Sequence, residues 1–348
     1  MHNNFHSQIR KILIIRLSSI GDVLLTTPAI RVIKKKFPEA DIDFVIKKQF
    51  SDLLTHHPDV HHLYIFDKND DNFSLKKIKK QIACQRYDLI IDLHKNFRSY
   101  YLTTFSRARR IIRYRKFSLR RFVFVNFKIN LFKQITPIHQ RYILPLNALG
   151  VFDDSDGLDI FLSKKEQSSI EKKYKDFLSQ PYKLILGIAP GASYFTKRWL
   201  PEYFEKVICH FAQKSEIGII LFGNKQDREL IDFLNIKGYR NVLVAAGELS
   251  LLETAALLDK CHIVITNDSG LMHLSSALRK KLIAIFGSTT RELGFFPVTK
   301  DAIILENSDL RCRPCSHVGR NNCPKKHFKC MVEIHPQQVI EAVENFLT

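Results

Sequence analysis

Short runs of Ile, Leu and Val recur along the whole chain, and a stretch that is apolar at helical spacing follows nearly every one. KILIIR (Lys11 to Arg16), IDFVI (Ile42 to Ile46), LYIF (Leu63 to Phe66) and YDLIIDL (Tyr87 to Leu93) mark the first half. KLILGIA (Lys183 to Ala189), IGIILFG (Ile217 to Gly223), NVLVAAG (Asn241 to Gly247), HIVITND (His262 to Asp268) and KLIAIFG (Lys281 to Gly287) mark the second. Runs that are apolar throughout, rather than alternating, belong to strands covered on both faces. With helices between them they read as βαβ units, and such units build parallel sheets. The chain has 348 residues, which is long for one layered core. The expectation is two doubly wound, Rossmann-like α/β domains, 1–175 and 176–348. The polar segment Asp153 to Gln180 holds the boundary. Asp22 to Phe37 reads as one helix stopped by Pro38, Pro201 opens another, and HPQQVIEAVENFL ends the chain as an amphipathic helix.

In such sheets ligands bind beyond the carboxyl ends of the strands, and two facing domains form a cleft there. Chemistry is therefore sought just after each strand. RLSSIGD follows the first. It has one glycine, not the three of a dinucleotide fingerprint, and no GxxxxGK[ST] occurs anywhere. That counts against a nicotinamide oxidoreductase and a P-loop ATPase. Gly21 suits a tight turn. Asp22 is either a helix-start carboxylate or a general base kept ionised by the helix N-terminus.

APGASYFTKRWLP (Ala189 to Pro201) follows the first strand of the second half. Its small residues, Ser193 among them, allow close backbone approach, and Lys197 and Arg198 add positive charge. The combination suits a diphosphate. TNDSGLMHLSSAL (Thr266 to Leu278) follows a later strand. Asp268 or Ser269 caps a helix there, and Gly270 and His273 lie a turn apart on a face expected to be exposed, opposite Leu271, Leu274 and Leu278.

Taken together, SSIGDVLLTTPAI, PGASYFTKRW and NDSGLMHLSSAL resemble the ADP-heptose:lipopolysaccharide heptosyltransferases, glycosyltransferase family nine, and most of all the second heptosyltransferase. The resemblance runs from Lys11 to the terminal helix. It implies a GT-B fold, with acceptor in the N-terminal domain and nucleotide-sugar in the C-terminal one. It implies Asp22 as general base, Lys197 on the donor diphosphate, and Asp268, Ser269, Gly270 and His273 around the phosphates and ribose, with Ser193 facing the nucleotide. The reaction implied is inverting transfer of heptose from ADP-L-glycero-D-manno-heptose to the lipopolysaccharide inner core, heptosyl-Kdo2-lipid A being the favoured acceptor and Kdo2-lipid A the alternative. No cofactor or metal is implied. Where many family members have Ser or Ala after the FG glycine, this chain has Asn224.

The net charge of +19 is concentrated. Leu93 to Phe152 holds 13 Lys+Arg and no Asp or Glu. Such a block describes a surface and its partner. Arginines interleave with aromatics there, as in single-strand nucleic-acid binders, but no nucleic-acid module accompanies them. With the resemblance, Arg109, Arg110, Arg113 and Arg115 are expected to face a lipid A-core acceptor in an anionic inner membrane. The start MHNNFHSQIRK lacks a signal-peptide pattern and no apolar run reaches a membrane span, so the expected location is cytoplasmic and peripheral. Cys312, Cys315, Cys323 and Cys330 suit either a structural zinc or reduced thiols. HHPDVHH (His56 to His62) reads as an exposed turn or a metal ligand set.

Overall fold

The computed structural model describes residues 9–67, 69 and 71–347. The chain divides into two compact units, Met1–Lys116 with Thr136–Phe161, and Phe117–Ile135 with Leu162–Thr348. The expected boundary at residue 175 thus falls inside the second unit. The helix Lys164–Lys173 is the reason, because it packs on the helix Leu251–Asp259. Ser169 donates to Glu253 at 2.9 Å, and Lys260 pairs with Glu171 at 2.6 Å. The excursion 117–135, inside the basic block, also groups with the second unit.

The first unit is a parallel sheet in the order β3-β2-β1-β4-β5. Its strands are β1 (Lys11–Ile15), β2 (Asp41–Lys47), β3 (His62–Phe66), β4 (Leu89–Asp92) and β5 (Arg110–Arg113). Ile12 to Ile15 are fully buried, as a central strand covered on both faces requires. β5 was not expected. Its RIIR places two charges around two apolar residues, which only an edge strand tolerates. The expected helix from Asp22 to Phe37 is two helices, Ile20–Leu24 and Thr27–Lys36. Pro28 lacks an N–H to continue the first, and the Thr26 and Thr27 hydroxyls bond Val23 O at 2.6 Å and Leu24 O at 2.7 Å instead.

Arg31, on the second of these helices, holds the segment that closes the first unit. It donates to Asp154 through Nε at 3.0 Å and Nη2 at 2.7 Å, and also reaches Asp159. The arginine holds the Asp154 carboxyl well below the usual carboxylate range, against the opposing effect of burial. Arg31→Met leaves both carboxylates without this partner. Losing one member of a buried pair costs 3–5 kcal/mol, and the 20% and 13% exposure of the two side chains relieves part of that. The expected loss is about 2 kcal/mol, read as a lower urea midpoint at neutral pH. A depressed carboxyl stabilises above its ordinary pKa and loses that contribution as pH falls through its folded value, so the gap to the wild type should narrow in acid.

The second unit is a parallel sheet in the order β11-β10-β9-β6-β7-β8. Its strands are β6 (Leu184–Ala189), β7 (Ile217–Leu221), β8 (Val242–Val244), β9 (Ile263–Asn267), β10 (Lys281–Phe286) and β11 (Ala302–Glu306). The edge strand β11, half-buried along its length, was also not expected. The helices Pro201–Ala212 and Pro336–Asn345 pack on each other over one sheet face, and Trp199 is sealed there with its Nε1 donating to Ile334 O at 2.8 Å. No helix among the described residues is long and apolar enough to cross a membrane.

In each sheet the strand order reverses once, between β1 and β4 in the first and between β6 and β9 in the second. Adjacent connections leave in opposite directions at these points, which opens a crevice at the carboxyl ends.

Candidate active site

Asp22 lies just past the carboxyl end of β1, in the first turn of the helix Ile20–Leu24. Gly21 is inside that turn rather than at a tight loop. The carboxylate does cap the helix, accepting from Ser19 N at 3.2 Å and Ser19 Oγ at 3.0 Å. It does more than that. Arg16 Nη2 sits 2.6 Å from Asp22 Oδ1, and Tyr142 donates its hydroxyl to the same oxygen at 3.3 Å. Burial pushes the Asp22 carboxyl up, but Arg16 and the two Ser19 donors outweigh it and hold it below its ordinary value. The side chain keeps 19% of its surface open, so an ionised carboxylate is presented to a ligand.

Arg16 was not singled out from the sequence. Its Nη1 donates to Leu93 O at 2.6 Å and its Nε to Ser18 O at 2.8 Å. It therefore ties the ends of β1 and β4 together at the reversal point, and its guanidinium lies over the Tyr142 ring. His94 follows Leu93 there. Burial, then Arg16, Lys116 and Lys47, push its imidazole down to about 3, so it is neutral at physiological pH. Cations from the ends of β1, β2 and β5 thus act together on His94, and can hold an anionic group there. The usable sequence signal was position alone, since Arg16, Lys47 and Lys116 all sit at or just after strand ends.

Arg16→Met should expose that balance. Without the guanidinium, burial dominates and the Asp22 pKa rises. If Asp22 is the proton acceptor, as the resemblance implies, it must be unprotonated to act, so the acid limb of kcat/KM should move to higher pH. The variant should lose several-fold of its plateau rate at a mildly acidic pH where the wild type holds its own. An unmoved acid limb would remove Arg16 from the base's environment.

The four expected acceptor-side arginines do not act together. Arg109 pairs with Asp88 at 3.2 Å, and Asp88 also accepts from Arg10 N and Lys11 N, at the amino ends of β1 and β4. Arg110 opens β5 at that same edge. Arg113 lies 3.4 Å from Asp92, donates to Thr103 Oγ1 at 2.9 Å and stacks on Tyr100. Arg115 is exposed beyond the strand. Asp88 and Asp92 stand just outside the acid-free stretch, and the fold brings them back beside it.

In the second unit, Lys197 Nζ pairs with Asp268 Oδ2 at 2.8 Å, and Thr289 Oγ1 donates to that same oxygen at 2.6 Å. The loops after β6, β9 and β10 are thereby joined. Asn267 strengthens the junction, accepting from Trp199 N at 3.0 Å and donating to Pro190 O at 2.7 Å. Gly287 is required here: a Cβ would lie 2.7 Å from Thr196 O. At Gly191 a Cβ would fall 2.2 Å from the Asp227 carboxylate, which would have to move. Thr289 and Asp227 were not anticipated.

Ser269 is the N-cap of the helix Gly270–Ala277, though its hydroxyl meets Thr266 at 3.2 Å. Ser193 is exposed on its loop, which Arg198 latches by donating to Ala192 O at 2.7 Å. His273, expected on an exposed face, is buried. The helix packs on β9, β10 and the helix Leu251–Asp259, which leaves no open face at that position. Asn224 caps the helix Lys225–Asp232, accepting from Gln226 N at 2.7 Å and Asp227 N at 3.0 Å. An asparagine at that loop is thus explained by helix capping.

Cys312 lies 3.8 Å from His327 Nε2, and Cys330 is buried nearby. Among the described residues, no three His, Cys, Asp or Glu side chains are placed to hold one metal ion. In His56 to His62, His57 is buried rather than exposed, stacked edge-on against Phe161.

The description of glycosyltransferase family 9 (heptosyltransferase) matches residues 75–326. The chain belongs to glycosyltransferase family 9. It is 29% identical to a lipooligosaccharide heptosyltransferase 2 of Campylobacter jejuni, over 94% of this chain and 95% of that one. A solved family 9 glycosyltransferase from Veillonella parvula superposes with a TM-score of 0.81 at 26% identity, over 100% of this chain and 98% of that one. Escherichia coli ADP-heptose lps heptosyltransferase II superposes with a TM-score of 0.73 over 97% of this chain and 98% of that one, and at 23% identity speaks to the fold. Relatives named heptosyltransferase 3 and heptosyltransferase 1 match as well. The chain is therefore a glycosyltransferase, and its doubly wound units are the two domains of a GT-B fold.

Proposed function

We propose that this family 9 enzyme moves heptose from ADP-heptose to the lipopolysaccharide inner core, with heptosyl-Kdo2-lipid A as acceptor. The observation that carries the reading is the partly open, ionised Asp22 carboxylate at the reversal point of the first sheet. Asp22 takes the proton of the acceptor hydroxyl as that oxygen attacks the anomeric carbon. Attack opposite the leaving group inverts the configuration. The acceptor's carboxylates and phosphates suit the cations around His94, namely Arg16, Lys47 and Lys116. The departing ADP gains negative charge, which Lys197 and the backbone N–H groups at Ser269 and Gly270 stabilise as it develops. Asp268 and Thr289 hold the Lys197 ammonium in place. The catalytic domains work from the cytoplasmic face of the inner membrane.

The test is ADP release from ADP-heptose with heptosyl-Kdo2-lipid A and with Kdo2-lipid A in turn. Faster release with the former is expected. Release only with Kdo2-lipid A would assign the first heptose instead. A thermal-shift panel of ADP, UDP, GDP and NAD checks the donor, since only a nucleotide bound by the folded state raises the melting temperature. ADP is expected to give the largest rise.

A further inference from the structure

The excursion 117–135 carries an unusual surface. Its helix, Ser118–Phe127, turns Phe124 inward, and Phe132 packs edge-on against both Phe117 and Phe124. Lys128 anchors it by donating to Pro314 O at 2.7 Å. The other large apolar side chains point out. Leu119, Phe122, Phe127, Ile129, Leu131 and Ile135 are between 45% and 73% exposed. Arg120 and Lys133 are exposed among them, and the segment holds no acidic residue. The packed inner ring needs Phe117, Phe124 and Phe132, so the fold does not account for the outer set. Soluble surfaces rarely gather this many large apolar groups without a partner.

We infer that the excursion 117–135 is a membrane-docking element that seats its outer apolar side chains in the surface of an anionic phospholipid bilayer. Charge decides the occupant. Two copies of this chain meeting here would set Arg120 and Lys133 against their own like charges, whereas anionic headgroups neutralise them. Four of the six outward side chains, Leu119, Ile129, Leu131 and Ile135, are aliphatic and offer no flat ring for a nucleic-acid base to stack on, leaving only Phe122 and Phe127 to do so. An apolar rim with interspersed cations is what an interfacial element presents to a bilayer. The inference deepens the proposed function by saying which residues meet the membrane holding the acceptor. It replaces Arg109, Arg110, Arg113 and Arg115 in that role.

Flotation of the full chain with vesicles needs no substrate, so it stands or falls apart from the heptosyl reading. The protein should float with phosphatidylcholine vesicles containing phosphatidylglycerol, and less with phosphatidylcholine alone. Phe122→Ser/Phe127→Ser/Leu131→Ser should weaken partitioning by about tenfold or more. Arg120→Glu/Lys133→Glu should weaken it chiefly on anionic vesicles and at low salt. The thermal melt and turnover on a water-soluble, deacylated acceptor should stay unchanged in both. Wild-type protein that stays with neither vesicle, or a triple variant that floats like wild type, would overturn the inference. So would a triple variant that only halves the mass seen by light scattering, which would give the surface to a second copy.

Discussion

Asp22→Asn should lower heptosyl turnover by about 10²–10⁴-fold, the contribution typical of a positioned general base. The substitution is close to isosteric, and the amide oxygen can still accept from Ser19 N, so the helix cap survives. What disappears is the ability to take a proton from an attacking hydroxyl. Some destabilisation will accompany it, because Arg16 is only 7% exposed and loses its 2.6 Å partner. That cost is limited, since the guanidinium keeps Leu93 O, Ser18 O and the Tyr142 ring. About 1–2 kcal/mol is expected, too little to unfold the chain. ADP binding, proposed for the second unit, should persist in a thermal-shift measurement. Near-normal ADP release by the variant would remove Asp22 from the chemistry and leave it as a helix cap.

Asp22→Glu is a sharper companion. It keeps the charge but lengthens the side chain by one methylene, so the Arg16 pair can re-form while the proton-accepting oxygen moves by about 1 Å. Misplacement on that scale can cost 10²-fold. A glutamate variant with wild-type stability and a large loss of turnover would separate geometry from electrostatics.

The sequence made the central strands and most strand-end residues readable for one physical reason. A parallel strand covered on both faces must be apolar throughout, so β1, β2, β6, β9 and β10 announce themselves. The residues just past them are then marked by position. Two of the four edge strands escape the rule: β5 reads RIIR and β11 is half-buried, because an edge strand need not be apolar throughout. Partnerships over long separations escape it too. Nothing local ties Tyr142 to Asp22, or Thr289 to Asp268. Partners of the basic block are hidden for the same reason. Read as a line it is uncompensated, but folding returns Asp88 to Arg109 and Asp92 to Arg113. Other charges of the block stay outward, Arg110 and Arg115 among them, and further along Arg120 and Lys133 do so among apolar side chains the linear count ignores.

Lys197→Met carries the second large effect, and it has two parts that must be separated. The ammonium is the cation best placed to meet a diphosphate in the second unit, and losing one such group typically costs about 10²–10³-fold in kcat. Its loss also strands Asp268, which is 4% exposed and would keep Thr289 as its side-chain donor at 2.6 Å. An uncompensated buried carboxylate costs about 3–5 kcal/mol. The single variant should therefore melt earlier as well as turn over slowly. Lys197→Met/Asp268→Asn divides the two. The neutral pair removes the stranded charge, so much of the stability should return. Turnover should not, because the Lys197 ammonium proposed to meet the leaving diphosphate is still missing. The two variants should share a low kcat and differ in melting temperature. If the double variant instead recovers turnover along with stability, Lys197 serves to neutralise Asp268, and the charge that develops on ADP must be met by the backbone donors at Ser269 and Gly270.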